Sequence, residues 1–479
     1  LDLHFVYEKQ ETINGVLPVY DLGDKTNELL DNSTDGTYNY MDGTYLKGSQ
    51  DSNYIWFDGF MWRIMGTNAD GSIRMITEEN VTAISWGRET NGELLVNYDD
   101  SYIVDWLNSY FYPKLKDKDL LVKHIWCSES VIDASSSRTT CTNNLSSVQQ
   151  YVGLISLDEY NLSNQALGYL SNSQHFWTIT PVNNDGNAWS IDSTKEDNNY
   201  ASYSISGTLG IRPVVNVKAN VIISSGVGTI TDPYMIEDMD NVTGSLKDNS
   251  QIGEYVTYAG RNYRVVETSS SGTKLILDGY YDSNNDGTIE DSDKMMYGEN
   301  CTLCTTINEE PFINWISNNN ETDKIKLVST TWYRGDYWGS FTTSYNYKDN
   351  LESISNPYEG RVGLIRAGEM LSSQSETILS KNHTLSGSNN NAHTYWLATP
   401  RSASLAWSVG SNGSTGSGNV TNTTFVRPVI MIHPGVPITG GQGTPNDPYT
   451  LGEAPLTAAQ YLIKNKVSSD INTSPTNGL

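Results

Sequence analysis

Two copies of one uncommon arrangement constrain this chain more than any other feature. The first copy is Thr208-Leu-Gly-Ile-Arg-Pro-Val-Val-Asn-Val217 and the second is Thr424-Phe-Val-Arg-Pro-Val-Ile-Met-Ile432. Each is a short β-branched apolar run with Arg-Pro inside it, the pattern of a buried strand whose proline sits at the strand start or at a bulge. Asp-Pro-Tyr follows twenty residues after each arginine, as Asp232-Pro233-Tyr234 and Asp447-Pro448-Tyr449. Upstream of each lie a tryptophan, a Thr-Pro and a second tryptophan: Trp177, Thr180-Pro181 and Trp189, then Trp396, Thr399-Pro400 and Trp407. This order does not arise twice by chance. The chain reads as a tandem duplication, with Trp177, Arg212, Trp396 and Arg427 as its expected structural core.

The rest of the chain repeats in step. Tyr54-Ile-Trp-Phe-Asp-Gly-Phe-Met-Trp-Arg-Ile-Met65 holds Asp-Gly between apolar runs, the strongest local hairpin signal, and Tyr255–Val266 matches it. Ile73–Ile76 and Lys274–Leu277 supply the next strand in each half. Tyr102–Phe111 places Ile103, Trp106, Leu107 and Tyr110 on one helical face. Phe312–Ile316, with Pro311 at a helix start, reads as its shorter counterpart. Val152-Gly-Leu-Ile-Ser-Leu-Asp-Glu-Tyr160 and Val362-Gly-Leu-Ile-Arg-Ala-Gly-Glu-Met370 each read as a strand running into a helix. The expected class is therefore α+β. The expected division is an extension at 1–44, modules at 45–240 and 241–453, and a helix with a polar tail at 454–479. Leu1, Leu3, Phe5 and Tyr7 alternate as a strand, Asp24–Leu30 suggests a short helix, and Leu456–Ile463 suggests another.

Composition narrows the function. A net charge of −26 argues against nucleic acid and against an anionic membrane. No run approaches the apolar length that spans a bilayer, so no membrane insertion is expected. The chain starts at Leu1 rather than Met, which suggests a processed or excerpted product. Thirty tyrosines and loops rich in Asn, Ser, Thr and Gly resemble a binding surface or a solvated extracellular one. The four cysteines form two local pairs, Cys127 with Cys141 and Cys301 with Cys304, which suggests disulfides and an oxidising compartment. Closing the first loop stabilises by about 3 kcal/mol on a loop-entropy argument. A redox Cys-Thr-Leu-Cys would want a strand before it and a helix starting at the first cysteine, and the flanking residues suggest neither. Zinc would need more ligands than either pair supplies.

The motif order resembles the C-type-lectin-like fold, and more closely the modules of that broad class in bacterial surface proteins. The resemblance covers about 45–237 and 250–452. It rests on an opening Trp-Arg-Ile or Tyr-Arg-Val strand, Gly-Leu-Ile…Glu, a Trp before Thr-Pro, and Arg-Pro near the end. Formylglycine-generating enzymes share the broad fold, but Pro213 and Pro428 follow the two arginines and all four cysteines lie upstream, so their catalytic residues are absent. Trp189-Ser-Ile-Asp192 and Trp407-Ser-Val-Gly410 stand where sugar-binding lectins carry Trp-Asn-Asp, so their calcium-sugar site is not implied either. A non-catalytic exported protein for adhesion or ligand recognition is implied, its loops meeting a glycan or protein at a cell surface.

Three further features carry expectations. Asp282-Ser-Asn-Asn-Asp-Gly-Thr-Ile-Glu-Asp-Ser-Asp293 fits a calcium loop. Asp282, Asn284, Asp286, Thr288, Glu290 and Asp293 are its candidate ligands, and Gly287 makes its sharp turn. The loops 183–206 and 401–424 are candidate binding loops, with Trp189, Tyr200, Tyr203, Arg401, Trp407 and Asn412 as candidate contacts. His175 and His393 lack a nucleophile signature beside them. The alternative function is a subunit of an extracellular filament, pilus or surface layer, joined to copies of itself by strand exchange through the termini.

Overall fold

A computed structural model describes residues 20–455, except 91–92, 96, 142–148, 164–167, 172–173, 183–185, 193–198, 237–242, 338–353, 372–392 and 411–414. The terminal strand expected at Leu1–Tyr7 and the helix expected at Leu456–Ile463 lie outside the described residues. The architecture is mixed α+β, with sheet predominating over short helices.

Each half opens on the hairpin that its sequence dictates. Tyr54–Phe57 pairs with Phe60–Thr67, and Tyr255–Tyr258 pairs with Arg261–Ser269. The turn residues Asp58-Gly59 and Ala259-Gly260 all have positive φ, the backbone that a two-residue turn between twisted strands requires. The register explains the shared spacing of nine residues: Tyr54 stands opposite Arg63, and Tyr255 opposite Arg264. Each guanidinium then lies over its tyrosine ring, at 3.7 Å and 4.8 Å.

Two eight-stranded sheets grow from these hairpins. The first contains the run Tyr234–Met235, Tyr54–Phe57, Phe60–Thr67, Ile73–Thr77, Val214–Val217 and Val152–Gly153. The second contains Tyr449–Leu451, Tyr255–Tyr258, Arg261–Ser269, Gly272–Leu277, Val429–Ile432 and Val362–Gly363 in the same order. The edges differ. The hairpin Thr37–Tyr40 and Gly43–Leu46 extends the first sheet, whereas Gly244–Ser245 and Pro437–Gly440 extend the second. The helix Leu22–Asp31, capped by Asp21, docks on the first sheet's end through Leu22 and Gly23 amides to the Val221 and Ala219 carbonyls.

The tryptophan strands form smaller sheets beside these. His175–Pro181 sits between Asn187–Asp192 and Thr208–Ile211, while Tyr395–Ser402 pairs with Leu405–Val409 and that strand with Thr415–Asn419. The halves touch where Trp56, Met235 and Tyr255 are buried together, and Arg264 reaches the Gly59 carbonyl at 3.4 Å. Among the described residues no helix is long and apolar enough to cross a membrane.

One helix expectation needs correction. Asn108 clamps the strand at Val152, donating to its carbonyl at 2.8 Å and accepting from its amide at 3.1 Å. Asn308 makes the same two bonds to Val362, at 2.7 Å and 3.0 Å. The counterpart of Tyr102–Phe111 is therefore the turn of helix Thr302–Thr306, which leads into Asn308, and not Phe312–Ile316. The aromatic pattern misled because Cys304 and Ile307 in the second half take core places that Val104 and Leu107 take in the first.

Candidate functional site

The site rests on a framework built twice. Arg74 and Glu159 form a buried ion pair, Nε to Oε1 at 2.9 Å and Nη2 to Oε2 at 3.1 Å. Lys274 and Glu369 occupy the same places in the second half and also pair in the interior. Trp126 covers Arg74 at 4.8 Å and Trp332 covers Lys274 at 5.7 Å. Beneath each indole lies a glycine, Gly153 or Gly363, where a Cβ would come within 2.3 Å of the ring. Burial alone would raise the Glu369 carboxyl, but Lys274 and Arg366 outweigh it and hold the group below its ordinary value. Burial likewise pulls Arg74 down, and Glu159 together with Tyr45, Tyr40 and Tyr38 more than reverses it.

The Arg-Pro arginines close the core. Arg212 Nε donates to the Thr77 carbonyl at 2.9 Å and Nη1 to Leu170 at 2.6 Å. Arg427 donates through Nε and Nη2 to the Leu277 carbonyl, the matching strand end. Burial pulls Arg212 down to about 10. Trp177 and Trp396 are buried and donate to the Ile84 and Met295 carbonyls, both at 3.0 Å.

Above this framework the second half holds a cleft of about 690 Å³. Five separate stretches line it: Tyr297 with Glu299 and Asn300, Arg334 to Tyr337, Asn356, Pro400 to Ala403, and Val420. Tyr337 is 62% exposed, so its ring offers a face to a ligand. Arg334 lies 5.1 Å from the Tyr358 ring, and its amide donates to the Asn356 carbonyl. The Asn356 amide group in turn donates to Asp336 Oδ1 at 2.9 Å. Tyr297 is buried, donates to the Ala398 carbonyl and packs 5.7 Å from Trp396, so one wall of the cleft is anchored in the core. Its size lies in the ordinary range for small-ligand sites, and its lining mixes one open aromatic face with carboxylate, amide, hydroxyl and guanidinium groups.

In the first half the same place is covered. The disulfide Cys127–Cys141 closes a loop just after Trp126. The Val131 amide donates to the carbonyl of Pro181, the counterpart of Pro400, at 3.0 Å, and Trp189 Nε1 donates to the Val131 carbonyl at 2.7 Å. Arg138 ties the loop to Asp158 at 3.0 Å and to Glu129 at 2.9 Å, and Ser136 donates to Asp158 at 2.7 Å.

Several sequence-chosen residues fall elsewhere. Trp189 and Trp407 are buried, Trp407 completely, so neither indole presents a face to a ligand. Their strands, Asn187–Asp192 and Leu405–Val409, are buried on both faces apart from their first residues, so neither ring has an open side. Tyr200 packs edge-on against Trp189 at 6.1 Å, and Tyr203 is 43% exposed on the outer strand. Arg401 follows the cleft residue Pro400, donates to Ser417 and stacks 5.6 Å from Trp407. Asn412 lies outside the described residues. His175 is bonded to Ser190 at 3.0 Å, and burial pushes His393 below its ordinary value.

Both expected disulfides form, and at the second pair only the flanking elements depart from expectation. A disulfide joins Cys301 to Cys304, strand Met295–Met296 precedes it, and helix Thr302–Thr306 begins beside Cys301. Both cysteines are buried, at 1% and 0% exposure, which denies an attacking thiolate the access that exchange requires.

In the acidic loop, Asp282 and Asp293 are buried and Asn284, Asp286 and Glu290 are outside. The Asp293 carboxylate accepts from the Ser283 amide and the Glu290 amide, both at 2.8 Å, and so joins the loop's start to its end. Asp282 Oδ2 accepts from the Gly287 amide at 2.8 Å. Asn284 Nδ2 donates to Asp286 at 2.9 Å and to Glu290 at 3.4 Å. Thr288 offers its amide to Asp286 at 2.8 Å. No protein-family model, curated protein or solved structure matches this chain.

Proposed function

We propose that this is an exported, non-catalytic recognition protein of a bacterial surface, built as two C-type-lectin-like modules. In this reading the second module binds a glycan in the cleft bounded by Tyr337, Asp336, Glu299 and Asn356, and the first module serves as a covered support. The cleft is the observation that carries the reading. An exposed tyrosine ring stacks on the apolar face of a sugar, and carboxylate and amide groups around it match hydroxyl groups. The matched strand orders of the two sheets support the duplicated modules. The two disulfides support an oxidising, extracellular setting.

A glycan array probed with the whole chain tests this. Retention of a related set of glycans, lost on Tyr337→Ala, is the expected result. An array with no retained glycan, or retention indifferent to Tyr337, overturns the assignment of the ligand to this cleft.

A further inference from the structure

The acidic loop and the cleft are joined by a short piece of chain. Asp293 ends the loop, Met295–Met296 pairs with Thr423–Thr424, and Tyr297, Glu299 and Asn300 then form a cleft wall. The Gly298 amide donates to the Val420 carbonyl at 2.8 Å, which ties that wall to the cleft's other edge. The Met295 carbonyl receives the Trp396 indole N–H at 3.0 Å. Whatever fixes Asp293 therefore fixes the start of this wall.

The loop itself contains a group that awaits a partner. Asp282 is 3% exposed, and its Oδ1 is buried with no hydrogen-bond partner, although Oδ2 is held by the Gly287 amide. A buried carboxylate oxygen left unpaired is costly, and a cation removes that cost. The loop supplies hard oxygen donors in the Asn284, Asp286, Glu290 and Asp293 side chains and the Thr288 carbonyl, with the Arg261 guanidinium at its edge, donating to Asn285 at 2.6 Å. Such a set on one irregular loop suits calcium, which accepts six to eight oxygens in flexible geometry, better than magnesium, which demands a strict octahedron. No three carboxylates of the loop lie within 4.8 Å of one another. An ion there would bring these carboxylates closer together than they stand, and Asp293 is followed at once by strand Met295–Met296, which leads to the cleft wall.

We propose that the 282–293 loop takes one calcium ion and that the ion fixes the 295–300 wall of the cleft. The calcium site stands on the loop alone; its consequence for recognition rests on the glycan-binding reading above. Calorimetry with calcium alone, and hydrogen exchange of the whole chain with calcium or a chelator, test both parts. One ion per chain is expected, with magnesium failing to replace it. Exchange should slow at 295–300 and 420–424 as well as in the loop, by about 100-fold in local opening at calcium about 100 times its dissociation constant. Asp282→Asn should abolish both effects. Asp286→Ser, at an exposed position, should weaken binding with the fold intact, which separates ion loss from misfolding. Absence of calcium binding at millimolar concentration overturns the proposal. Binding with protection confined to 282–293 overturns the coupling. Neither result depends on the glycan array, so a failed array leaves this test standing.

Discussion

The two halves carry one framework and opposite surfaces. In the first, a disulfide-closed loop lies across the Pro181 carbonyl and is pinned by Arg138 and Ser136 to Asp158. In the second, the matching Pro400 lines a cleft of about 690 Å³. The strand order beneath is the same. The difference teaches that the framework is indifferent to whether its upper face is filled, because its stability comes from the buried pair, the tryptophan over it and the Arg-Pro arginine below.

The largest effects should come from breaking that common framework. Glu159→Ala and Glu369→Ala each strand a buried cation, and each should cost about 3–5 kcal/mol in denaturant unfolding. Comparable losses are expected from the two variants. A large loss in one half with almost none in the other would break the comparison. Next comes the cover. Replacing Cys127 and Cys141 by serine should cost about 3 kcal/mol on the loop-entropy model and expose the 127–141 segment to protease, with glycan retention by the second half unchanged. Reduced retention would mean that the first half takes part in the site.

A pH dependence should arise in both halves, from His124 in the first and from the part-buried His393 in the second, and single variants separate them. Burial, reinforced by Arg74, holds His124 down to about 4, and Thr330 stands at the matching position ahead of Trp332. An unfolded histidine takes its proton near pH 6.5, so the unfolded state binds more protons than the folded one between about 6.5 and 4. Stability should fall as pH drops through that window. Unfolding midpoints measured across it should show His124→Gln losing part of the slope; an unchanged slope would place the titration elsewhere. Glu369, depressed in the folded state, adds stability above the ordinary carboxylate range that is lost on further acidification. The smallest effect on stability belongs to Tyr337→Ala, within about 0.5 kcal/mol because the ring is exposed, while its glycan binding should vanish.

What the sequence revealed was what short-range chemistry writes. Asp58-Gly59 specified a two-residue turn, and the nine-residue Tyr-to-Arg spacing proved to be a cross-strand register. The cleft was hidden because its lining is gathered from five stretches between Tyr297 and Val420, each unremarkable alone. Loop 401–424 was singled out with Arg401, Trp407 and Asn412 as its contacts, but the Trp407 ring is buried in the core. The clamps by Asn108 and Asn308 were legible only as identical residues at matching distances from Ser101 and Cys301, a signal that the louder aromatic pattern at Phe312–Ile316 obscured.

The glycines under the two indoles have a consequence for how such a gene can change. Gly153 and Gly363 leave no room for even one added carbon against Trp126 and Trp332. Each half is thus pinned at its centre, while the chain just beyond the tryptophan takes a different course in each: Cys127 begins a disulfide-closed lid in one half, and Arg334 begins a cleft wall in the other. Divergence is channelled to that one junction. Relatives of this chain should differ most in the dozen or so residues after each tryptophan, and new specificities should arise there without disturbing the sheet beneath.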